Sequence, residues 1–189
     1  MPVIEIGIRL NKDYQYYKQI LTNNGLINDF NCLTHDLYYT NQKLDNMTEN
    51  EMKNACIRLR SVNGSDYKIQ NNLLNNLSEK TISKSQLTKF ETKLFNQGFI
   101  KVFDTQKQDH HFYKEGMTSK VQLQEIEGIG LIVYFDNKNY YEYEEDEQRK
   151  KLIDELNSYG FEIEYQDLGL DKLRTLYYKK EMFSNNQNV

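Results

Sequence analysis

The sequence predicts an α+β protein, organised as an eight-stranded antiparallel β-barrel tunnel with helices packed outside. The predicted elements run strand, helix, several strands, helix, several more strands and then helices. This order indicates a chain built from two similar halves. Several strands alternate polar and apolar residues, and charged side chains occupy their polar faces. About eight strands close a barrel that is wide enough for one small ligand. We therefore expect a wet, charged lumen and apolar outer faces that the helices cover.

The composition is that of one globular domain. Charged residues make up 28% of the 189 residues and hydrophobic residues 38%, and aromatic residues are mostly tyrosine. Pro2 is the only proline, and no segment rich in Pro, Gly and Ser divides the chain. We expect a single domain over 1–183 and a polar C-terminal tail over 184–189.

The charge and the apolar runs exclude several classes of protein. A net charge of −4 argues against binding nucleic acid or a membrane surface by bulk electrostatics. No apolar run approaches the roughly 20 residues of a membrane helix, and the first residues lack the pattern of a secretory signal. Cys32 and Cys56 have no metal-ligand spacing and make no disulfide framework. We therefore expect a cytoplasmic protein that binds neither nucleic acid nor a membrane. The sequence does not predict its oligomeric state.

Alternation and helical spacing define the first elements. A strand over 3–9 places isoleucines on one face and polar residues on the other. Tyrosines and aliphatic residues at helical spacing predict a helix over 12–24, and a strand follows over 31–40. Thr48 and Glu51 have the spacing of a capping box, which predicts one helical turn.

A hairpin comes next. Residues 56–60 alternate as a strand, Asn63 and Gly64 are typical of a tight turn, and 67–69 return as the second strand. The same rules predict the remaining elements. These are a helix over 83–97, strands over 99–105, 109–114, 119–124 and 129–136, a helix over 147–159, a strand over 161–165 and a helix over 170–183.

One face of this hairpin carries Arg58 and Arg60, and Lys68 is expected to point the same way. Three cations on one face repel one another, and an anion with several charges would relieve that repulsion. Arginine suits phosphate because its planar guanidinium group donates two parallel hydrogen bonds. The alternative is an exposed face of a half-buried hairpin that serves only solubility.

Adjacent titratable residues on the predicted strands do not form joint sites. His35 and Asp36 are neighbours on one strand, as are His110 and His111 on another, so each pair points to opposite faces. The acidic run over 142–147 could bind a cation, but it also suits the positive end of the helix that follows.

Eight short segments, spread over nearly the whole chain, resemble the motifs of one protein family. They are 5–9 for Glu-x-Glu-x-Lys, 36–39 for Asp-x-Tyr-Tyr/Phe, 57–60 for Leu-Arg-x-Arg, 66–68 for Thr-x-Lys, 98–99 for Gly-Phe, 107–109 for Lys-x-Arg, 124–130 for Asp-x-Val-x-Gly-Leu-Gly and 134–136 for Glu-Ile-Glu. On these segments the chain resembles the CYTH superfamily, also called triphosphate tunnel metalloenzymes. The family includes class IV adenylate cyclases, thiamine triphosphatases and inorganic triphosphatases.

The resemblance implies a tunnel in which basic side chains bind a triphosphate and carboxylates hold one or two divalent ions. By position, it implies phosphate binding by Arg9, Arg58, Arg60, Lys68 and Lys107. It also implies Glu5 and Asp136 as metal ligands and Mg²⁺ or Mn²⁺ as the cofactor. The motifs assign no catalytic residue.

The departures from the motifs concern mainly the carboxylates. Gly7 and Tyr134 stand in place of glutamates, Gln124 in place of an aspartate and Asp109 in place of an arginine. Hard divalent ions need several anionic oxygens, so we expect catalysis to be weak or absent. Gly7 also removes bulk, so we expect a wider lumen beside it.

Three hypotheses remain open from the sequence. The protein binds a triphosphate or another polyphosphate-bearing small molecule and hydrolyses it with a divalent metal, or it binds such an anion without turnover. Alternatively, it shares the architecture and serves only contacts with proteins.

Overall fold

The computed structural model describes residues 4–71, 81–164, 173 and 175–177. In chain order the elements are β1 (Ile6–Arg9), α1 (Tyr14–Asn23), β2 (Ile27–Thr40), α2 (Glu49–Ala55), β3 (Ile57–Val62), β4 (Tyr67–Asn71), β5 (Thr81–Ile82), α3 (Leu87–Asn96), β6 (Ile100–Tyr113), β7 (Val121–Ile126), β8 (Gly130–Phe135) and α4 (Glu145–Tyr159). Short 3-10 helices cover Lys84–Gln86 and Lys138–Tyr140. Leu173 and 175–177 are helical, and the rest of the closing helix predicted over 170–183 lies outside the described residues, as does the tail over 184–189.

The strands form one eight-stranded antiparallel sheet in the order β1-β8-β7-β6-β2-β3-β4-β5. The predicted α+β class and the eight antiparallel strands are therefore confirmed. Within the part of the chain that is described, β1 and β5 end this order, so closure into a barrel stays a prediction. No helix among the described residues is long and apolar enough to cross a membrane.

Some predicted strands differ from the structure, and β2, for example, begins at Ile27 and not at 31. The strands expected over 99–105 and 109–114 are one continuous strand, β6, because 106–108 contain no turn residue and the alternation continues through them. The strand expected at 161–165 is absent over 161–164, which directly follow the left-handed stop of α4 at Gly160.

The chain divides into two compact units. Unit 1 comprises Met1–Cys32, Gln108–Ile126 and Gly130–Leu170, and unit 2 comprises Leu33–Lys107, Glu127–Ile129 and Asp171–Val189. Because β2 and β6 each contribute one part to unit 1 and the other to unit 2, no linker in the sequence marks this division. The single domain over 1–183 stays a prediction.

In unit 1 the core lies between helices and the apolar faces of β1, β7 and β8. It includes Leu21 of α1, Leu152 and Leu156 of α4, and Ile8 and Val133 of the sheet. The first turn of α4 holds Glu145, Asp146 and Glu147. The acidic run therefore lies at the positive end of this helix, which was the second of its two interpretations. The opposite sheet face keeps the polar residues of these strands.

In unit 2 the core lies between α3 and the apolar faces of β2, β3 and β4. Its sheet residues include Leu37, Ile57, Leu59 and Ile69, and Leu94 of α3 packs against them. Burial on β3 alternates, with the isoleucine and leucine side chains buried and the arginines half-buried. The predicted two-faced hairpin is therefore present, and its polar face points away from α3.

Two local predictions in unit 2 are confirmed. Thr48 and Glu51 form a capping box at the start of α2, in which each residue's side chain accepts from the other's backbone N–H. Asn63 and Gly64 both have positive φ, as a type I′ turn requires, and Ser65 N donates to Val62 O at 2.9 Å. This turn fixes the register of β3 against β4, and with it the face on which the cations lie.

Candidate functional site

Strand pairing in unit 2 brings charged side chains from three neighbouring strands onto one face. In the antiparallel registers, Asp36 of β2 lies opposite Arg60 of β3, and Arg60 lies opposite Lys68 of β4. Tyr38 lies opposite Arg58 in the same way. Directly paired residues point to the same face of a sheet, so these side chains are neighbours.

Asp36 is the centre of this arrangement. Its side chain is fully buried, and it accepts from Arg58 Nη2 at 2.6 Å, from Arg60 Nε at 2.8 Å and from Arg60 Nη2 at 3.0 Å. Lys107 of β6, whose side chain is only 1% exposed, pairs with the same carboxylate. We call Asp36, Arg58, Arg60, Lys68 and Lys107 the cationic face.

The cationic face keeps an excess of positive charge. Three cations contact a single carboxylate, and Lys68 lies exposed beside Arg60. The side chains of Arg58 and Arg60 are 25% and 30% exposed, so their guanidinium groups are held by Asp36 and still reach solvent. Four of the five predicted phosphate-binding residues are thus together in unit 2.

The fifth, Arg9, lies on β1 in unit 1. It is exposed, and its guanidinium group lies beside Gly130, within 4 Å of where a Cβ would stand. The two predicted metal ligands, Glu5 and Asp136, also belong to unit 1. The structure therefore does not bring Arg9 and the two carboxylates into unit 2 with the other predicted residues.

Glu5 and Asp136 act on the same phenol. Tyr141 donates its hydroxyl to Asp136 Oδ2 at 2.6 Å. This hydrogen bond raises the pKa of Tyr141 to about 12, and burial and the charges of Asp136 and Glu5 add to the shift.

The ring of Tyr134 fills the space over Gly7. The two residues are paired across β1 and β8, and a Cβ built on Gly7 would lie 2.7 Å from Tyr134 Cε1. The expected widening beside Gly7 was therefore wrong, because the aromatic ring occupies the volume that the glycine leaves. The two departures from the family motifs accommodate one another.

We predict that Gly7→Ala lowers the free energy of unfolding by about 1–2 kcal/mol, because the added methyl group displaces the Tyr134 ring. In a Tyr134→Ala background the same change should cost under about 0.5 kcal/mol. Denaturant unfolding of the four proteins measures the coupling. Equal costs in both backgrounds would contradict the packing seen between these two residues.

Polar side chains of β6 and β7 also pair in unit 1. Asp109 is buried, and it accepts from Gln122 Nε2 at 2.7 Å and from the Gln124 side-chain amide. Gln124, which stands where the family has an aspartate, thus donates its amide to a carboxylate here. Asp109 itself stands where the motif that the sequence resembles has an arginine, so this position carries an anion and not a cation.

The positions in unit 1 that the motifs assign to a metal carry few carboxylates. Glu5 is exposed, Asp136 accepts from Tyr141, and Tyr134 and Gln124 supply no carboxylate. Within the described ranges, no group of three or more His, Cys, Asp and Glu side chains could hold a metal ion. Because Mg²⁺ is commonly held by one or two carboxylates together with water and substrate phosphates, Glu5 and Asp136 stay predicted ligands.

Sequence reasoning treated Asp36 only as part of a motif and missed its central position. The prediction that His35 and Asp36 point to opposite faces of the strand is confirmed. His35 points to the other face, where its Nε2 lies 2.7 Å from Asp104 Oδ1 and its Nδ1 lies 2.8 Å from the Tyr67 hydroxyl. The alternation that separates them was the available signal, because it places Asp36 on the same kind of polar face as the arginines.

The comparisons with known proteins support the fold. No family model matches the chain, and no curated protein matches it. Solved structures are similar to it, and three of them are described in turn. One from Hippeastrum is described as a "putative adenylyl cyclase" with a dominant triphosphatase activity; it is 15% identical, with 95% of this chain and 96% of that chain covered and a TM-score of 0.56. A second, from Vibrio parahaemolyticus, is described as a "putative adenylate cyclase", at 14% identity, 93% and 97% coverage and a TM-score of 0.57.

The third is a conserved hypothetical protein from Pyrococcus furiosus. It is 16% identical, with 91% of this chain and 99% of that chain covered and a TM-score of 0.57. At these identities the likeness shows a shared fold over most of both chains.

Proposed function

We propose that the chain is a CYTH-like protein that binds a triphosphate, or another polyphosphate-bearing small molecule, on the cationic face of unit 2. The observation that carries the proposal is the convergence of Arg58, Arg60 and Lys107 on the buried Asp36. One carboxylate cannot neutralise three cations, and an anion with several charges supplies what is missing.

The geometry favours phosphate over a simple carboxylate ligand. Asp36 holds the guanidinium groups of Arg58 and Arg60 in fixed orientations, so little side-chain entropy is lost when they bind an anion. Lys68, which pairs with Arg60 across the sheet, extends the positive charge from β3 to β4. A chain of phosphates presents acceptors at successive positions along such a row, whereas one carboxylate presents acceptors at a single position.

The shared fold supports the same class of ligand. The Hippeastrum protein is described with triphosphatase activity, and it matches this chain over nearly its full length. Closure of the eight strands into a barrel would enclose the cationic face in a tunnel, and that tunnel is part of the proposal. The net charge of −4 favours a small anion over nucleic acid as the partner.

A second candidate is hydrolysis of the bound triphosphate, with Glu5 and Asp136 holding Mg²⁺ or Mn²⁺. Asp136 accepts from Tyr141, and the charge of Glu5 also raises the pKa of that phenol, which favours this candidate. The ring over Gly7 and the amide of Gln124 count against it, because these positions add no anionic oxygen. We therefore propose binding without efficient turnover.

The test measures binding and turnover on the same preparation. We expect inorganic triphosphate to raise the melting temperature by several degrees at a hundredfold excess over Kd, since mass action then adds about 2.7 kcal/mol. Phosphate release from inorganic triphosphate, thiamine triphosphate and ATP should stay near background with Mg²⁺ or Mn²⁺.

Each alternative gives a different result. Metal-dependent release that Glu5→Gln abolishes would establish the hydrolase and overturn binding without turnover. No release and no change in melting temperature would overturn the anion proposal and leave a module for protein contacts.

A further inference from the structure

A cavity of about 220 Å³ lies beside the cationic face in unit 2. Three of its lining residues form a row across the sheet, because Tyr38 pairs with Arg58 and Arg58 pairs with Gln70. Lys53 of α2 and Cys56, which follows that helix, complete the lining. Pockets for drug-sized ligands span roughly 300–1,000 Å³, so this cavity suits a smaller group.

Arg58 belongs both to this cavity and to the Asp36 cluster. Its Nη2 donates to Asp36, and its guanidinium group lies 5.5 Å from the centre of the Tyr38 ring. Its Nε is buried and has no hydrogen-bond partner among the residues that the structure describes. The side chain as a whole is 25% exposed and lines the cavity, so other atoms of the guanidinium group remain open to an anion there.

The charge of the lining favours an anionic acceptor. Burial raises the pKa of the Cys56 thiol to about 12 and also raises the pKa of the Tyr38 phenol, so both stay neutral near pH 7. The charged residues of the lining are the two cations Arg58 and Lys53. Lys53 Nζ lies 3.5 Å from Glu49 and is more than half exposed, so this pairing is weak and leaves the amine accessible.

We infer that this cavity is a second anion subsite, which takes the terminal phosphoryl group of a polyphosphate whose other phosphates lie on the cationic face. The inference rests on the proposed function and adds selectivity for chain length. Orthophosphate fills one position only. A triphosphate spans both, and its second contact is intramolecular, which strengthens binding without a second loss of translational freedom.

The test compares two anions on matched lysine variants. In Lys53→Met, the Kd for inorganic triphosphate should rise roughly threefold to tenfold, while the Kd for orthophosphate should change by less than about twofold. Lys89→Met is the control, because Lys89 is an exposed lysine of α3 and lies on the helix that covers the apolar face. Gln70→Leu, at an exposed position of β4, should act in the same direction as Lys53→Met.

Isothermal titration of each protein with each anion separates the outcomes. If the unmodified chain does not bind triphosphate, the proposed function fails. If it binds triphosphate but Lys53→Met behaves like Lys89→Met, only the subsite is overturned. An equal loss for both anions would also overturn the subsite, because Lys53 would then act as a general charge and not on the end of the chain.

Discussion

Replacing Asp36 with asparagine is expected to lower the melting temperature by roughly 10 °C. The carboxylate is fully buried and contacts Arg58, Arg60 and Lys107, so its loss leaves three cations together without a counter-charge. Removing one partner of a buried ion pair costs about 3–5 kcal/mol, and in a protein of this size each kcal/mol shifts the melting temperature by about 2–4 °C. Differential scanning calorimetry at low ionic strength measures the change.

Asp104→Asn is the matched control. Asp104 also pairs with a base, His35, and with Lys101, but its side chain is 52% exposed, so its loss should cost under about 1 kcal/mol. Inorganic triphosphate should raise the melting temperature of Asp36→Asn more than that of the unmodified chain, because the ligand supplies the missing negative charge. Equal melting temperatures for Asp36→Asn and Asp104→Asn would show that the cluster does not depend on Asp36.

The features that the sequence predicted correctly are local ones. The strand period of two separated His35 from Asp36 and put Arg58 and Arg60 on one face. The capping box at Thr48 depends on residues only three positions apart, so it could also be predicted. In each case neighbouring residues fix the geometry, and no knowledge of distant strands is needed.

The features that were missed depend on which strands are neighbours. Lys107 pairs with Asp36 because β2 lies between β3 and β6 in the sheet, an order that alternation within one strand does not contain. The ring of Tyr134 covers Gly7 only because the register of β1 against β8 places them opposite one another. A shift of one residue would have sent either side chain to the other face.

This dependence explains the limits of the site prediction. Four of the predicted phosphate-binding residues lie together because three strands of unit 2 and the adjacent part of β6 share one polar face. Arg9, Glu5 and Asp136 were assigned from motifs and belong to unit 1, so their part in the same site stays a prediction.

Replacing Arg60 with glutamine is expected to weaken triphosphate binding by about tenfold to a hundredfold. Asp36 holds Arg60 through both Nε and Nη2, and this fixes the plane of the guanidinium group while the side chain stays 30% exposed. A hydrogen bond to a charged group contributes about 1.5–3 kcal/mol, which corresponds to this loss in affinity. Arg60→Lys keeps the charge but loses the planar donor pair. Its affinity for triphosphate should therefore lie between those of the unmodified chain and Arg60→Gln.

Arg149→Gln provides the control, because Arg149 forms an exposed pair with Glu145 at 2.7 Å on α4. It removes the same charge from the chain, so any loss of affinity beyond that of Arg149→Gln reports the local contact of Arg60 and not the change in net charge. Titrations repeated at higher salt should weaken binding by the unmodified chain more than binding by Arg60→Gln, since the variant has one fewer cation to screen. If Arg60→Gln and Arg149→Gln bind triphosphate equally well, the anion does not lie on the cationic face. The proposed function is then wrong, even though the fold is shared with the similar structures.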